Sequence, residues 1–99
     1  FNLPIVSILG NNGAWNQVTQ GVLRRGGRAI GTYLSQDTDY AKVMEGLGGY
    51  AERVTDPAQI GPAIQRAFAS GKAALLDVVT DPEVSYGNMA GRSRQQRTY

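Results

Sequence analysis

Residues 5–17 read I-V-S-I-L-G-N-N-G-A-W-N-Q, and the change of character inside this stretch decides the fold. Ile5, Val6, Ile8 and Leu9 form a short β-branched run bounded by Pro4 and Gly10, which predicts a strand over residues 5–9. The run is apolar on both faces, as in a parallel sheet covered by helices on two sides. Gly10, Asn11, Asn12 and Gly13 read as a turn, because Gly and Asn tolerate backbone angles that other residues resist. From near Trp15 the spacing becomes helical: Trp15, Val18, Val22 and Leu23 share one stripe before Gly26 and Gly27 end the element. Strand, Gly/Asn turn and helix in this order put the turn at the carboxyl end of a strand. Open α/β sheets bind ligands there, and a helix amino terminus offers unpaired N–H groups to an anion.

Residues 28–37 show no period and read as a connection able to pack over such a site. Asp39 caps a helix on which Tyr40, Val43, Met44 and Leu47 recur at i, i+3, i+4 and i+7 until Gly48 and Gly49. Residues 50–54 alternate enough for a half-covered second strand, with Glu52 and Arg53 near its exposed end. Asp56, Pro57 and Gln59 have the composition of a helix cap. Pro62 divides this region into a short turn at 57–60 and a helix opening near Pro62, with Ile60, Ala63, Ile64, Ala67 and Phe68 as its apolar stripe. Residues 74–79, A-L-L-D-V-V, predict a third strand. Asp77 within it is expected to be structural and either partly exposed or hydrogen-bonded, since an unpaired buried charge is costly.

The order β-α-α-β-α-β with short connections predicts parallel strands joined by right-handed crossovers. Three strands make an incomplete sheet with open edges. Together with an opening Phe1 in place of methionine, this suggests a missing upstream part or an obligate complex.

Composition narrows the chemistry. The 99 residues contain no cysteine and no histidine, which removes disulfides, thiolate metal sites and histidine-based catalysis. No apolar run approaches the roughly 18 residues of a membrane helix, so a soluble, cytoplasmic protein that binds no membrane is expected. The net charge of +2 owes its excess to Arg92, Arg94 and Arg97 in the tail. The body lacks a basic face with interleaved aromatics, so no nucleic-acid partner is expected.

Three separated segments, in the right order, carry a resemblance. They are N-L-P-I-V-S-I-L-G-N-N-G-A-W at 2–15, D-Y-A-K-V-M-E-G-L-G-G-Y at 39–50 and A-L-L-D-V-V-T-D-P-E at 74–83. Over about residues 2–84 the chain resembles the diphosphate-binding domain of acetolactate synthase-like thiamine diphosphate-dependent enzymes. The resemblance implies a three-layer α/β/α arrangement around a parallel sheet in the order first-third-second, as part of a thiamine diphosphate-binding fold. Residues 1–82 would be the C-terminal part of that domain and 83–99 a basic tail.

The same resemblance implies the site. The Asn12 side-chain oxygen and the Ala14 carbonyl would bind magnesium, and Asn11 would shape the turn. N–H groups around Trp15, Asn16 and Gln17 would face the diphosphate, completing a cofactor-binding set of Asn11, Asn12, Ala14, Trp15, Asn16 and Gln17. Gln17, Val18 and Gly21 are candidates to approach the thiazolium and substrate. Trp15 itself reads as a packing residue, and Arg24, Arg25 and Arg28 as solvated surface.

The implied activity makes or cleaves a carbon-carbon bond next to a carbonyl of a 2-oxo acid or 2-hydroxyacyl substrate. It uses thiamine diphosphate and Mg²⁺ in a homo-oligomer, with the remainder of a parent enzyme as partner; no catalytic residue and no use of FAD can be assigned. The family's Gly-Asp-Gly element, which supplies a magnesium carboxylate, is not among these residues, nor is the pyrimidine-binding domain. The chain alone is therefore expected to hold magnesium poorly and to be inactive. Two other readings stand beside this one. The first is a 2-hydroxyacyl-CoA lyase or oxalyl-CoA decarboxylase-like enzyme whose tail arginines approach CoA phosphates. The second is a non-catalytic α/β module that pairs with a larger subunit.

Overall fold

The computed structural model describes residues 3–35 and 37–84. Its elements are β1 (Val6–Asn11), α1 (Asn16–Leu23), α2 (Tyr40–Gly46), β2 (Tyr50–Val54), a 3-10 turn (Pro57–Gln59), α3 (Ile60–Ala69) and β3 (Ala74–Val79). They fall into two compact units, one made of residues 3–11 and 37–80, the other of 12–35 and 81–84.

The first unit holds the sheet. Its strands are all parallel and lie in the order β1-β3-β2, with Ala74 opposite both Val6 and Tyr50. Two places out and one place back, each by a right-handed crossover, requires helices on opposite faces. The side chains agree, because consecutive strand residues point to opposite faces. Arg66 of α3 donates two hydrogen bonds to Glu52, at 2.8 and 2.7 Å, while the next residue, Arg53, donates to the Thr38 carbonyl just before α2 at 3.1 Å. Helices α2 and α3 thus enclose the sheet, and this unit has the α/β/α layering.

Helix α3 buries Ala63 and Ala67 against Val54, Ala74, Leu76 and Val78, with Val6, Tyr50, Ile60 and Ile64 partly covered around them. The alanines let the helix lie close to the sheet but remove little apolar area from water. Leu76, fully buried, contributes roughly 1.5–3 kcal/mol by transfer.

Local chemistry sets the helix ends. The Asp39 carboxylate accepts from the Lys42 N–H at 3.1 Å and opens α2. Gly48, at φ +85°, closes it: the Gly49 N–H reaches the Met44 carbonyl and the Gly48 N–H reaches that of Glu45, the double bond of a Schellman motif. Helix α3 opens at Ile60, two residues before the expected start. Pro62 falls in its first turn, where no N–H is needed, so it does not delay the helix.

Several expectations are corrected. Strand β1 runs on through Gly10 and Asn11, which pair with Val78 and Val79, so half of the expected turn is strand. It lies at the sheet edge with Ile5, Ser7 and Ile8 exposed, not covered on both faces. On α2 and α3 the small residues Ala41, Ala63 and Ala67 are buried, while Val43, Phe68 and the α2 cap residue Leu47 are exposed. Glu52 and Arg53 are half-buried and bonded rather than at an exposed end. Asp77 is fully buried and, among the described residues, its carboxylate accepts no hydrogen bond; its counterion is Arg53, with Nη1 at 3.8 Å. The tail arginines Arg92, Arg94 and Arg97 lie outside the described residues.

Candidate cofactor site

The chain leaves the sheet at Asn11, which is 6% exposed and belongs to the first unit; its carbonyl accepts from the Thr80 N–H at 2.9 Å. The other predicted site residues, Asn12, Ala14, Trp15, Asn16 and Gln17, all lie in the second unit.

Asn12 is half-buried, and its Oδ1 accepts from the Ala14 N–H at 3.1 Å. This side-chain-to-backbone bond two residues on closes an Asx turn, which explains why asparagine suits the position. The return segment after α1 then fixes the turn from outside. The Leu34 N–H donates to the Gly13 carbonyl at 2.6 Å, the Trp15 N–H donates to the Thr32 carbonyl at 2.8 Å, and Ala14 and Tyr33 form an isolated antiparallel bridge. The connection expected at 28–37 therefore does pack on this turn, through its backbone. Among the described residues, the Ala14 carbonyl takes part in no hydrogen bond.

Helix α1 begins with no side-chain cap. The Trp15 carbonyl accepts from the N–H groups of Val18 and Thr19, which leaves those of Asn16 and Gln17 without a bond among the described residues. The expected N–H cradle included Trp15; that N–H is committed to Thr32. The Asn16 carboxamide is also engaged, donating from Nδ2 to the Pro82 carbonyl at 2.7 Å. The backbone N–H of Asn16 is open to a ligand, while its side-chain Nδ2 is not.

Trp15 is 64% exposed and does not pack in the core. Val18 and Leu23 are exposed as well, whereas Thr19, outside the predicted stripe, is buried at 1% with its hydroxyl on the Trp15 carbonyl at 3.2 Å. Arg24, Arg25 and Arg28 are exposed, as expected. Sequence reasoning missed the part played by Thr32 and Leu34. It acts entirely through backbone atoms, and only Gly31, a residue that permits a left-handed bend, hinted at it.

The oxygen pair fits part of a magnesium site: Asn12 Oδ1 and the Ala14 carbonyl are hard neutral donors, and magnesium is commonly held by few protein groups with phosphate and water completing six ligands. No group of three or more Asp, Glu, His or Cys residues suited to a metal occurs among the described residues. A cleft of about 320 Å³ lies at the amino end of the strands, lined by Leu3, Met44, Leu47 and Lys72 among others, and it includes none of the predicted site residues.

Comparison with known proteins identifies the family. The chain is 41% identical over 85 residues to a probable acetolactate synthase of Mycobacterium bovis and, to the same extent, to an acetolactate synthase large subunit of Mycobacterium tuberculosis. It is 30% identical over 83 residues to a probable acetolactate synthase large subunit of Methanocaldococcus jannaschii. These matches cover 86%, 86% and 83% of the chain but only 16%, 16% and 14% of the relatives. Residues 1–78 match the family described as thiamine pyrophosphate enzyme, C-terminal TPP binding domain, and the chain belongs to that family.

Proposed function

We propose that this chain is the diphosphate-holding end of a thiamine diphosphate- and Mg²⁺-dependent enzyme of acetolactate synthase type, one that joins or cleaves a carbon-carbon bond beside the carbonyl of a 2-oxo acid. The single observation that carries the reading is the state of the turn. Asn12 Oδ1 has one engagement and a second lone pair, and the Ala14 carbonyl has none among the described residues, two residues before a helix with open N–H groups. The names of the relatives supply the reaction class.

When bound, the cofactor supplies the electron sink for the reaction; the protein supplies binding and orientation. Asn12 Oδ1 and the Ala14 carbonyl would hold Mg²⁺ against the diphosphate. The N–H groups of Asn16 and Gln17, reinforced by the positive end of the α1 dipole, would meet a phosphate oxygen. Val18, exposed on the first turn of α1, and Gln17 beside it would line the approach to the thiazolium. Asn16 would act differently: its carboxamide ties residues 82–84 to the start of α1 and so orders the site's border.

Two neutral oxygens are a weak magnesium site on their own, so the carboxylate ligand and the pyrimidine half of the cofactor pocket would come from further polypeptide. Calorimetric titration tests this. The 99-residue chain should give no tight, saturable binding of thiamine diphosphate with Mg²⁺. A polypeptide extended to the length of the relatives should bind both, with affinity lost on Asn12→Ala. Unchanged binding in that variant would remove Asn12 from the site, and tight binding by the chain alone would refute its dependence on further polypeptide.

A further inference from the structure

Residues 28–35 carry no helix and no strand beyond the bridge at Tyr33, yet they make two of the three bonds that fix the candidate turn. The Gly13 carbonyl is held by Leu34 and the Trp15 N–H by Thr32, one on each side of Ala14, while the Ala14 N–H is held by Asn12 Oδ1. The Gly13 carbonyl, the Ala14 N–H and the Trp15 N–H are committed, and the Ala14 carbonyl between them is not. A peptide plane pinned at both flanks points its oxygen in one direction without any bond to that oxygen. Gly31 makes the approach possible: its φ is +68°, and a β-carbon there would meet nothing within 4 Å, so the requirement is for the backbone angle and not for space.

We propose that residues 31–34 are a positioning element for the divalent cation, setting the direction of the Ala14 carbonyl and so favouring a small ion with strict octahedral demands over a larger, more permissive one. The proposal rests on the reading of Asn12 and Ala14 as ligands and adds the origin of their selectivity. Thr32 and Leu34 act through the peptide groups of Gly13 and Trp15 and do not touch the ion. Magnesium needs near-ideal geometry at short distance, whereas calcium accepts varied geometry. Loosening the segment should therefore harm magnesium binding more than calcium binding.

The test uses the ¹⁵N-labelled chain and NMR, which reads weak binding. In the free chain the Trp15 and Leu34 amides should exchange with solvent more slowly than the Asn16 and Gln17 amides, which have no bond among the described residues. Titration with MgCl₂ and, separately, CaCl₂ should shift residues 12–15. The Mg²⁺-over-Ca²⁺ preference should fall about tenfold in Gly31→Val, the range typical of lost outer-sphere support. Gly31→Asn should restore it, because asparagine tolerates the left-handed region. The Leu76 amide, remote in sequence, should keep its wild-type shift in both variants and so report intact folding.

Fast exchange at Trp15 and Leu34, or an unchanged ion preference in Gly31→Val, overturns the positioning role alone, provided that Asn12→Ala still weakens Mg²⁺ binding. Residues 12–15 left unshifted by Mg²⁺, together with undiminished binding by Asn12→Ala in the polypeptide extended to the length of the relatives, would overturn the ligand reading and the positioning role together.

Discussion

Arg53 and Asp77 are unequal partners. Asp77 is completely buried, 3.8 Å from its counterion and without a hydrogen bond among the described residues, while the Arg53 side chain keeps 28% of its surface in contact with solvent. Removing Arg53 strands a charge, so Arg53→Met should cost about 3–5 kcal/mol. In Asp77→Leu the arginine can turn to water, and the loss should be near zero. Urea midpoints of the two variants decide this, and equal losses would reject the asymmetry. On the other face, the two-pronged contact from Arg66 holds the Glu52 carboxyl below its ordinary value of 4.5, and Glu52 in turn raises the Tyr50 phenol. A depressed carboxyl stabilises the fold fully above its unfolded value and ceases to do so as pH falls through the folded one. Arg66→Gln should therefore be less stable than the parent chain near neutrality, with the difference closing in acid well below 4.5. Neither pairing could be read from sequence, since each depends on which strand residues share a face with which helix. The turn around Asn12 was legible because Gly and Asn act locally, but the expectation gave its shaping to Asn11, which is strand, whereas Asn12 shapes it through the Asx bond.

Gly48 at φ +85° closes α2 by a motif that an ordinary side chain resists. Gly48→Ala should cost about 1–2 kcal/mol and Gly48→Asn less, as thermal unfolding of both would report. A larger loss for asparagine than for alanine would mean that something other than backbone angle matters there. Stops and caps of this kind were readable because Asp39 and Gly48 act on the turn they belong to. The three strands and their order were readable too, the segments from their residues and the order from the resemblance. Which side of α1 faces inward was not, although the inward side of α3 was, since Ala63 and Ala67 are buried and Ile60 and Ile64 pack partly covered against the core. Periodicity identifies residues that share a face, and Trp15 and Val18 do share one, but their face is exposed while Thr19 is buried. Phe68 lies at the margin of the α3 stripe and is exposed, whereas Ala67 beside it is buried.

Apolar surface is abundant in both units. Leu3, Ile5, Ile8 and Phe68 are exposed in the first, and Trp15, Val18, Ile30 and Tyr33 in the second. No helix among the described residues is long and apolar enough to cross a membrane. The chain spans 16% of its Mycobacterium relatives, and in water alone it should self-associate through these surfaces. Sedimentation equilibrium at rising concentration measures this; a constant monomer mass would contradict it. The alanine-lined seam between α3 and the sheet has a calorimetric consequence. Unfolding raises the heat capacity in proportion to newly wetted hydrocarbon, by about 12–15 cal/mol/K per residue in ordinary domains. Among the described residues, four of the seven buried apolar side chains are alanine methyls and many large ones are already wet, so the chain has little more to expose. Its heat-capacity increment should fall below that range, giving a flat stability curve against temperature.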